Sequence, residues 1–263
     1  MVSELSVAAH RGQEILQELL RTGKVTVEDL AHRLKVSAAT IRRDLTELEQ
    51  RGLLRRSHGG AVSIEPALYE PFRNVSSFQE QEEQLTTEKR RIGLAAAEII
   101  ADGETIALGA GTTTTQVARS LRHRKGITVL TNAVNIAMEL SHQDDIKILV
   151  TGGVLSGAWF ALVGPSAIQS VNEFFVDKAF IGVDGIHSEH GLTTNYPDQA
   201  TIHRAMLQQA RQKIVVADHR KIGVAATALI WPPSGIDLFI TDRSADDESV
   251  EAFVAKGIKV RCA

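Results

Sequence analysis

Thr40, Arg42 and Arg43 crowd into the first turns of the stretch VSAATIRRDLTELEQRGLLRRSHGGA, residues 36–61. All three side chains can hydrogen-bond to phosphates or to base edges. Opposite them, Ile41, Leu45 and Leu48 recur at helical spacing and form a narrow apolar seam. Ser37 is placed to cap the start of that helix, and Gly52 to end it as a C′ residue. Beyond, Leu53, Leu54, Arg55 and Arg56 lead to His58, Gly59 and Gly60, which suits a short strand and a tight basic turn. A helix apolar on one side and cationic at its start, followed by a basic hairpin, is the pattern of a recognition helix and wing.

The flanking residues strengthen that pattern. Thr26-Val-Glu-Asp29 has the form of a capping box with Asp in place of Glu, and it opens a short helix carrying Leu30, Ala31 and Leu34. Lys35 and Val36 then make the turn of a helix-turn-helix. From Arg33 to His58 the cations are Arg33, Lys35, Arg42, Arg43, Arg51, Arg55 and Arg56, against only Asp44, Glu47 and Glu49. The whole chain has a net charge of -3, so this excess is a local, polarised patch. The candidate DNA contacts are Thr26, Ser37, Ala38, Thr40, Arg42, Arg43, Arg55, Arg56, His58 and Gly59.

A second set of residues could bind an anion. Gly109-Ala110-Gly111-Thr112-Thr113 is a glycine turn feeding a hydroxyl-rich helix start. Glycines let a phosphate approach the backbone, and the free amides of the helix start donate to it. The run lacks the Lys-Ser/Thr ending of a P-loop and the third glycine of a dinucleotide fingerprint. Thr131-Asn132, Gly152-Gly153 and Gly182-Val-Asp184-Gly185 also follow apolar runs directly and are small and polar. Asp184 suits sugar hydroxyls or a turn cap. Lys221 stands where a cation could face a phosphate, or be solvated.

These residues need elements to hold them. A helix from about Ala9 to Thr22, with Ile15, Leu16, Leu19 and Leu20 inward, completes a three-helix core with Val25, Leu30, Leu34, Ile41, Leu45 and Leu48; Leu53 and Leu54 pack beneath the wing. This unit spans 1–62. Residues 63–87, with Pro66, Pro71 and the polar run QEQEEQ, read as a linker that either runs exposed or forms a short connecting helix. From 88 to 263 helix and strand alternate. A helix at 88–101 is followed by apolar runs at 105–109, 127–131, 146–151, 178–183, 213–217 and 236–241. Helices fit at about 113–122, 133–142, 165–173, 199–211 and 246–256. The fold class is α/β: an N-terminal winged helix-turn-helix followed by a doubly wound, mostly parallel sheet. Ligands of such sheets bind outside the carboxyl ends of the strands, which is where the glycine-rich loops fall.

Composition narrows the setting. One cysteine, Cys262, excludes an intrachain disulfide and fits a reducing cytoplasm. The N-terminus lacks the apolar core of a signal peptide, and no apolar run approaches a membrane span, so a cytoplasmic protein with no membrane partner is expected. No cofactor or metal motif is present in the sequence.

The chain resembles the DeoR family of bacterial transcription regulators over essentially its whole length. The N-terminal match is Val36-Ser37, Thr40 through Leu45, Leu48, Gly52 and His58-Gly59-Gly60-Ala61. The remainder resembles that family's sensor domain, similar in fold to ribose-5-phosphate isomerase and coenzyme A transferases, through Gly111-Thr112-Thr113, Thr131-Asn132, Gly152-Gly153, Val163-Gly164-Pro165, Phe180-Ile181-Gly182, Asp184-Gly185-Ile186, Gly191 to Thr194, and Ala217-Asp218 with Lys221 and Gly223. The resemblance implies operator DNA and a phosphorylated sugar effector as partners, a homo-oligomer (dimer or tetramer), and repression of a carbohydrate operon relieved by the effector. The implied effector contacts are Gly109, Ala110, Gly111, Thr112, Thr113, Thr131, Asn132, Gly152, Gly153, Gly182, Asp184, Gly185 and Lys221. Three positions depart from the family pattern. Gly109 stands where an aspartate is usual, Gln199 where a glutamate is usual, and Ser156 where an arginine is common. All three bear on the effector rather than on DNA.

The competing reading is an isomerase-like or transferase-like enzyme carrying a DNA-binding head. It needs a general base beside a carbonyl. Asp184 and Lys221 are available to it, while Gln199 supplies no carboxylate.

Overall fold

The computed structural model describes residues 2–50, 53–62 and 76–263; the side chains of residues 2–10, 20, 76, 77 and 79 are outside that description as well. Gly52, Arg51, Pro66 and Pro71 therefore lie outside the described residues, as does the side chain of Leu20.

In the first unit, Met1–Leu68, helix α1 (Val2–Thr22) precedes strand β1 (Lys24–Thr26), helices α2 (Val27–Leu34) and α3 (Ala38–Gln50), and the hairpin β2 (Arg55–Ser57) and β3 (Gly60–Val62). Helix α1 starts earlier than expected because no glycine or proline precedes Gly12 to stop it. Both caps form as the sequence dictates. The Asp29 amide donates to Thr26 Oγ1 at 3.1 Å and the Thr40 amide to Ser37 Oγ at 3.1 Å. Lys35 takes the left-handed conformation that closes α2 and turns the chain toward α3. Ile15, Leu16, Leu19, Val25, Leu30, Ile41, Leu45, Leu48 and Leu54 make one apolar core.

An ion pair braces that core. Arg11 donates from Nε and Nη2 to the two oxygens of the largely buried Asp44, at 2.5 and 2.9 Å, clamping α1 to α3. The three strands pair antiparallel in the order β1-β3-β2. At Gly60 an added Cβ would meet the Val25 carbonyl oxygen at 2.0 Å, so only glycine lets β3 approach β1.

The second unit, Tyr69–Ala263, opens its described part with helix α4 (Ser76–Glu83), within the segment expected to be a linker. This helix packs on the unit. Phe78 is buried edge-on against Trp159 and Phe160, and Glu82 pairs with Arg119 at 2.9 Å. Helix α5 (Thr86–Glu98) then leads into β4 (Thr105–Leu108), α6 (Thr112–Arg119), β5 (Ile127–Thr131), α7 (Val134–Leu140) and β6 (Ile146–Val150). A small antiparallel arm, β7 (Val154–Ser156) and β8 (Ala161–Val163), interrupts the alternation before α8 (Pro165–Asn172) and β9 (Val176–Ile181). After β10 (Gly185–His187) and β11 (Gly191–Thr194) come α9 (Pro197–Gln208), β12 (Ala210–Val216), β13 (Ala228–Trp231), β14 (Leu238–Thr241), α10 (Asp247–Ala255) and β15 (Lys259–Cys262).

Seven strands form one parallel sheet, in the order β15-β14-β12-β9-β4-β5-β6. All six apolar runs read from the sequence are in it, and its seventh member, β15, was not anticipated. Neither were β7, β8, β10, β11 and β13, antiparallel strands of three or four residues outside that sheet. The chain builds outward from β4 through β5 to β6, then returns to β9 on the other side of β4 and proceeds through β12 and β14. The reversal between β4 and β9 is the switch point at which such sheets open a crevice.

Candidate functional site

The carboxyl ends of β4, β9 and β12, three adjacent strands, supply Ala110-Gly111, Gly182-Val183-Asp184 and Ala217-Asp218 to one cleft. The start of α6 adds Thr112 and Thr113. Its side chains cap nothing: the hydroxyls of Thr114 and Thr115 turn back to the Gly111 carbonyl, at 2.9 and 2.8 Å. The amides of the first turn are thus left for a ligand, and they favour an anion.

Two lysines line the same cleft. Lys221 ends the short helical turn His219–Lys221, which Asp218 caps through the Arg220 amide. Lys89 was not singled out by the sequence reading. Its side chain is only 2% exposed, and its Nζ donates to the Gln81 carbonyl of α4. Burial pushes its pKa down to about 8, against the upward pull of Asp218; Arg220 and Lys221 push it further down. The signal was present in the spacing. Lys89 stands three residues before Ile92, on the stripe that α5 turns to the core.

The cleft's acids are partly engaged. Asp184 Oδ2 accepts from Thr194 Oγ1 and from the Asn195 amide, both at 2.8 Å. Asp218 accepts from Arg220 Nε at 3.0 Å, and Arg220 reaches Gln84 Oε1 at 2.7 Å. Trp159, Gln81, Thr194 and Gln199 complete the lining.

Of the expected effector contacts, Ala110, Gly111, Thr112, Thr113, Gly182, Asp184 and Lys221 come together here. The other six do not line the cleft. Asn132 is fully buried behind it, accepting from the Ala110 amide at 3.0 Å and donating to the Leu162 carbonyl at 3.1 Å. Thr131 donates to the Leu108 carbonyl at 2.7 Å. Both act as supports for the glycine loop. Gly152 and Gly153 follow β6, three strands from β9, and turn the chain into the β7–β8 arm. Gly185 is packed against the Val224 carbonyl, where a Cβ would come within 2.3 Å, and Gly109 is packed against His203. Strand order decides the outcome for the four at or just beyond the ends of β5 and β6, which lie on the far side of β4 from the switch point, and close packing decides it for Gly109 and Gly185.

In the first unit, Arg42 and Arg43 are exposed together on α3, beside Thr46, Glu47 and Gln50. Thr26, Ser37, Arg55, His58 and Gly59 are also exposed, while Ala38 and Thr40 are half-buried. Two cations of the patch are committed within the protein. Arg33 pairs with Glu18, and Arg56 donates to Thr46 Oγ1 at 2.9 Å and the Arg42 carbonyl at 3.4 Å. With the Arg56 amide on Glu49 at 2.7 Å, that side chain ties β2 to α3. The hairpin turn itself is His58-Gly59, with Gly59 at φ +77.

Comparison with known proteins matches both units. The DeoR-like helix-turn-helix domain matches residues 11–67, and the DeoR C-terminal sensor domain matches residues 84–243. The HTH-type transcriptional regulator GlpR of Haloferax volcanii is 36% identical over 252 residues, covering 96% of each chain. The HTH-type transcriptional repressor GlcR of Bacillus subtilis is 35% identical over 246 residues, covering 94% of this chain and 93% of its own. Among solved structures, ribose 5-phosphate isomerase A from Neisseria gonorrhoeae aligns with a TM-score of 0.38 at 15% identity, over 54% of this chain and 53% of its own, a likeness too distant to carry an argument.

Proposed function

The chain belongs to the DeoR family of DNA-binding transcription regulators, and from that premise we propose that it is an operator repressor whose second unit senses a phosphorylated sugar. The observation that carries the effector class is the convergence of the uncapped α6 start with Lys89 and Lys221 in one cleft. Amides and two cations suit the phosphate, while the free oxygen of Asp184 suits a hydroxyl. The first unit presents Arg42 and Arg43 to a major groove, with Arg55 and His58 of the wing on neighbouring phosphates. Reading a symmetric operator calls for a homo-oligomer, dimer or tetramer.

Switching follows from linkage: an effector that binds one arrangement more tightly shifts the population by that difference. Lys89 offers a route. In the structure its ammonium is held by the Gln81 carbonyl of α4, the helix that leads in from the DNA-binding unit. A phosphate that draws Lys89 to itself weakens that bond and loosens α4. Sensing rather than turnover is supported by the cleft's acids: Asp218 is bound to Arg220, one oxygen of Asp184 is taken, and Gln199 is neutral.

The test is fluorescence anisotropy of the full chain on DNA from its own upstream region, at two salt concentrations, with a panel of sugar phosphates. Sequence-dependent binding released by one member supports the reading. Turnover of ribose 5-phosphate that is lost in Asp184→Ala would put the enzyme reading in its place.

A further inference from the structure

Gln199, in the lining of the cleft, and His203, behind that lining, carry buried polar atoms that nothing in the protein pairs among the described residues. Gln199 and His203 stand one turn apart on the inward face of α9, 7% and 1% exposed. Nε2 of Gln199 and both ring nitrogens of His203 are buried with no hydrogen-bond partner among the described residues. Burial of unpaired donors is costly enough that such groups mark a place for something else to bind.

Position 109 explains why the ring stands bare. Gly109 directly follows β4, and a Cβ there would lie 2.9 Å from His203 Nε2 and 2.9 Å from Ile181 Cδ1. The imidazole therefore packs directly against the backbone of the glycine loop, immediately before Ala110 and Gly111 of the cleft lining. Its burial drives the pKa to about 4, with Asp184 pulling weakly the other way, so the ring is neutral at pH 7. A neutral imidazole has one donor and one acceptor nitrogen, and the Gln199 amide adds donors. A hydroxyl both accepts and donates and satisfies this set. A methyl group would satisfy none of it, and a carboxylate would bring a second negative charge toward Asp184.

We infer that Gln199 and His203 form a hydroxyl-reading subsite that sets the effector's specificity, so that the effector is a phosphate ester whose carbon skeleton bears a neutral hydroxyl toward α9. The inference rests on the reading of the cleft as a phosphate-ester site. It gives the glycine at 109 a function: a Cβ there would stand 2.9 Å from His203 Nε2 and displace the ring.

The test measures binding to the full chain by calorimetry, with inorganic phosphate, ethyl phosphate and a panel of stereoisomeric pentose and hexose phosphates. The proteins are wild type, Gln199→Met, which keeps the side chain's length but removes its amide, and His203→Phe. In wild type, one sugar phosphate is expected to bind at least about tenfold tighter than ethyl phosphate, since a site built to pair a hydroxyl discriminates strongly against its absence. In both variants that preference should fall below about threefold. The ring nitrogen resonances of His203 should shift with the sugar phosphate and stay still with ethyl phosphate, a readout that a purely structural histidine would not give. Should His203→Phe fail to fold, Gln199→Met and the nitrogen shifts decide. A wild type that binds phosphate and ethyl phosphate but gains nothing from hydroxyls overturns this inference alone, as does a preference that survives in the variants. Failure of every phosphate to bind overturns the phosphate-ester reading, and this inference with it.

Discussion

Replacing Lys89 with methionine should stabilise the second unit, against the usual expectation for removing a hydrogen-bonded charge. Lys89 is ammonium in water and stays so in a site where burial has moved its pKa from 10.5 to about 8. That difference is worth about 3 kcal/mol against the fold wherever the charged form must be buried. The substitution also strips the Gln81 carbonyl of its partner, which returns about 1 kcal/mol. The net expectation is a gain of about 2 kcal/mol at pH 7. The pH dependence has a definite sign. Below pH 8 lysine is charged in both states and the full cost is present. Between about 8 and 10.5 the unfolded chain holds the proton that the native protein has released, so stability rises with pH; above 10.5 the cost is gone. Both tryptophans, Trp159 and Trp231, belong to the second unit, so urea unfolding followed by their fluorescence reports that unit alone. Wild type minus Lys89→Met isolates the contribution of this one group. Parallel stability profiles for the two proteins from pH 7 to 10.5 would refute the claim that a charged lysine is buried there.

Further expectations concern the two units separately. Arg42→Ala and Arg43→Ala should weaken operator binding by about 1–3 kcal/mol each if they reach base edges, or lower the salt slope by about one if they reach phosphates, with tryptophan-detected unfolding unchanged; intact affinity in both would remove α3 as the reading helix. Enlarging Thr112 and Thr113 to leucine should leave DNA binding in place and abolish release by effector in the anisotropy assay, since both line the cleft at the helix start. Asp44→Ala should strand the guanidinium of Arg11 and cost the first unit about 3 kcal/mol, near the low end for a buried pair because Arg11 keeps some solvent; circular dichroism of thermal unfolding measures it, and a change under 1 kcal/mol would make the pair ornamental.

How far the sequence could be read depended on the range of the interactions involved. The caps at Thr26 and Ser37, the seam of Ile41, Leu45 and Leu48, and the glycine turn of the wing are local, and each forms as its spacing dictates. Six of the seven strands of the parallel sheet announced themselves as apolar runs between helices. What spacing does not contain is strand order. Thr131-Asn132 and Gly152-Gly153 look as much like ligand loops as Gly182-Val183-Asp184 does, and only the placement of β9 beside β4 separates them. Lys89 reaches the cleft from a helix, outside any strand-end loop. Likewise the capture of Arg33 by Glu18 and of Arg56 by α3 depends on elements meeting in space, so a count of cations along the chain overstated the charge available to DNA.

That capture of Arg56 bears on which operators can be read. Strand β2 is fastened to α3 at Thr46, at the Arg42 carbonyl and through Glu49, which couples the position of the hairpin to that of the helix. A reader of fixed gauge passes the burden of fitting to the duplex. If α3 and the hairpin read the operator as proposed, then among operators with identical contacted bases those whose uncontacted steps bend or narrow most cheaply are expected to be occupied first, and part of the recognition code would lie in DNA stiffness at uncontacted positions.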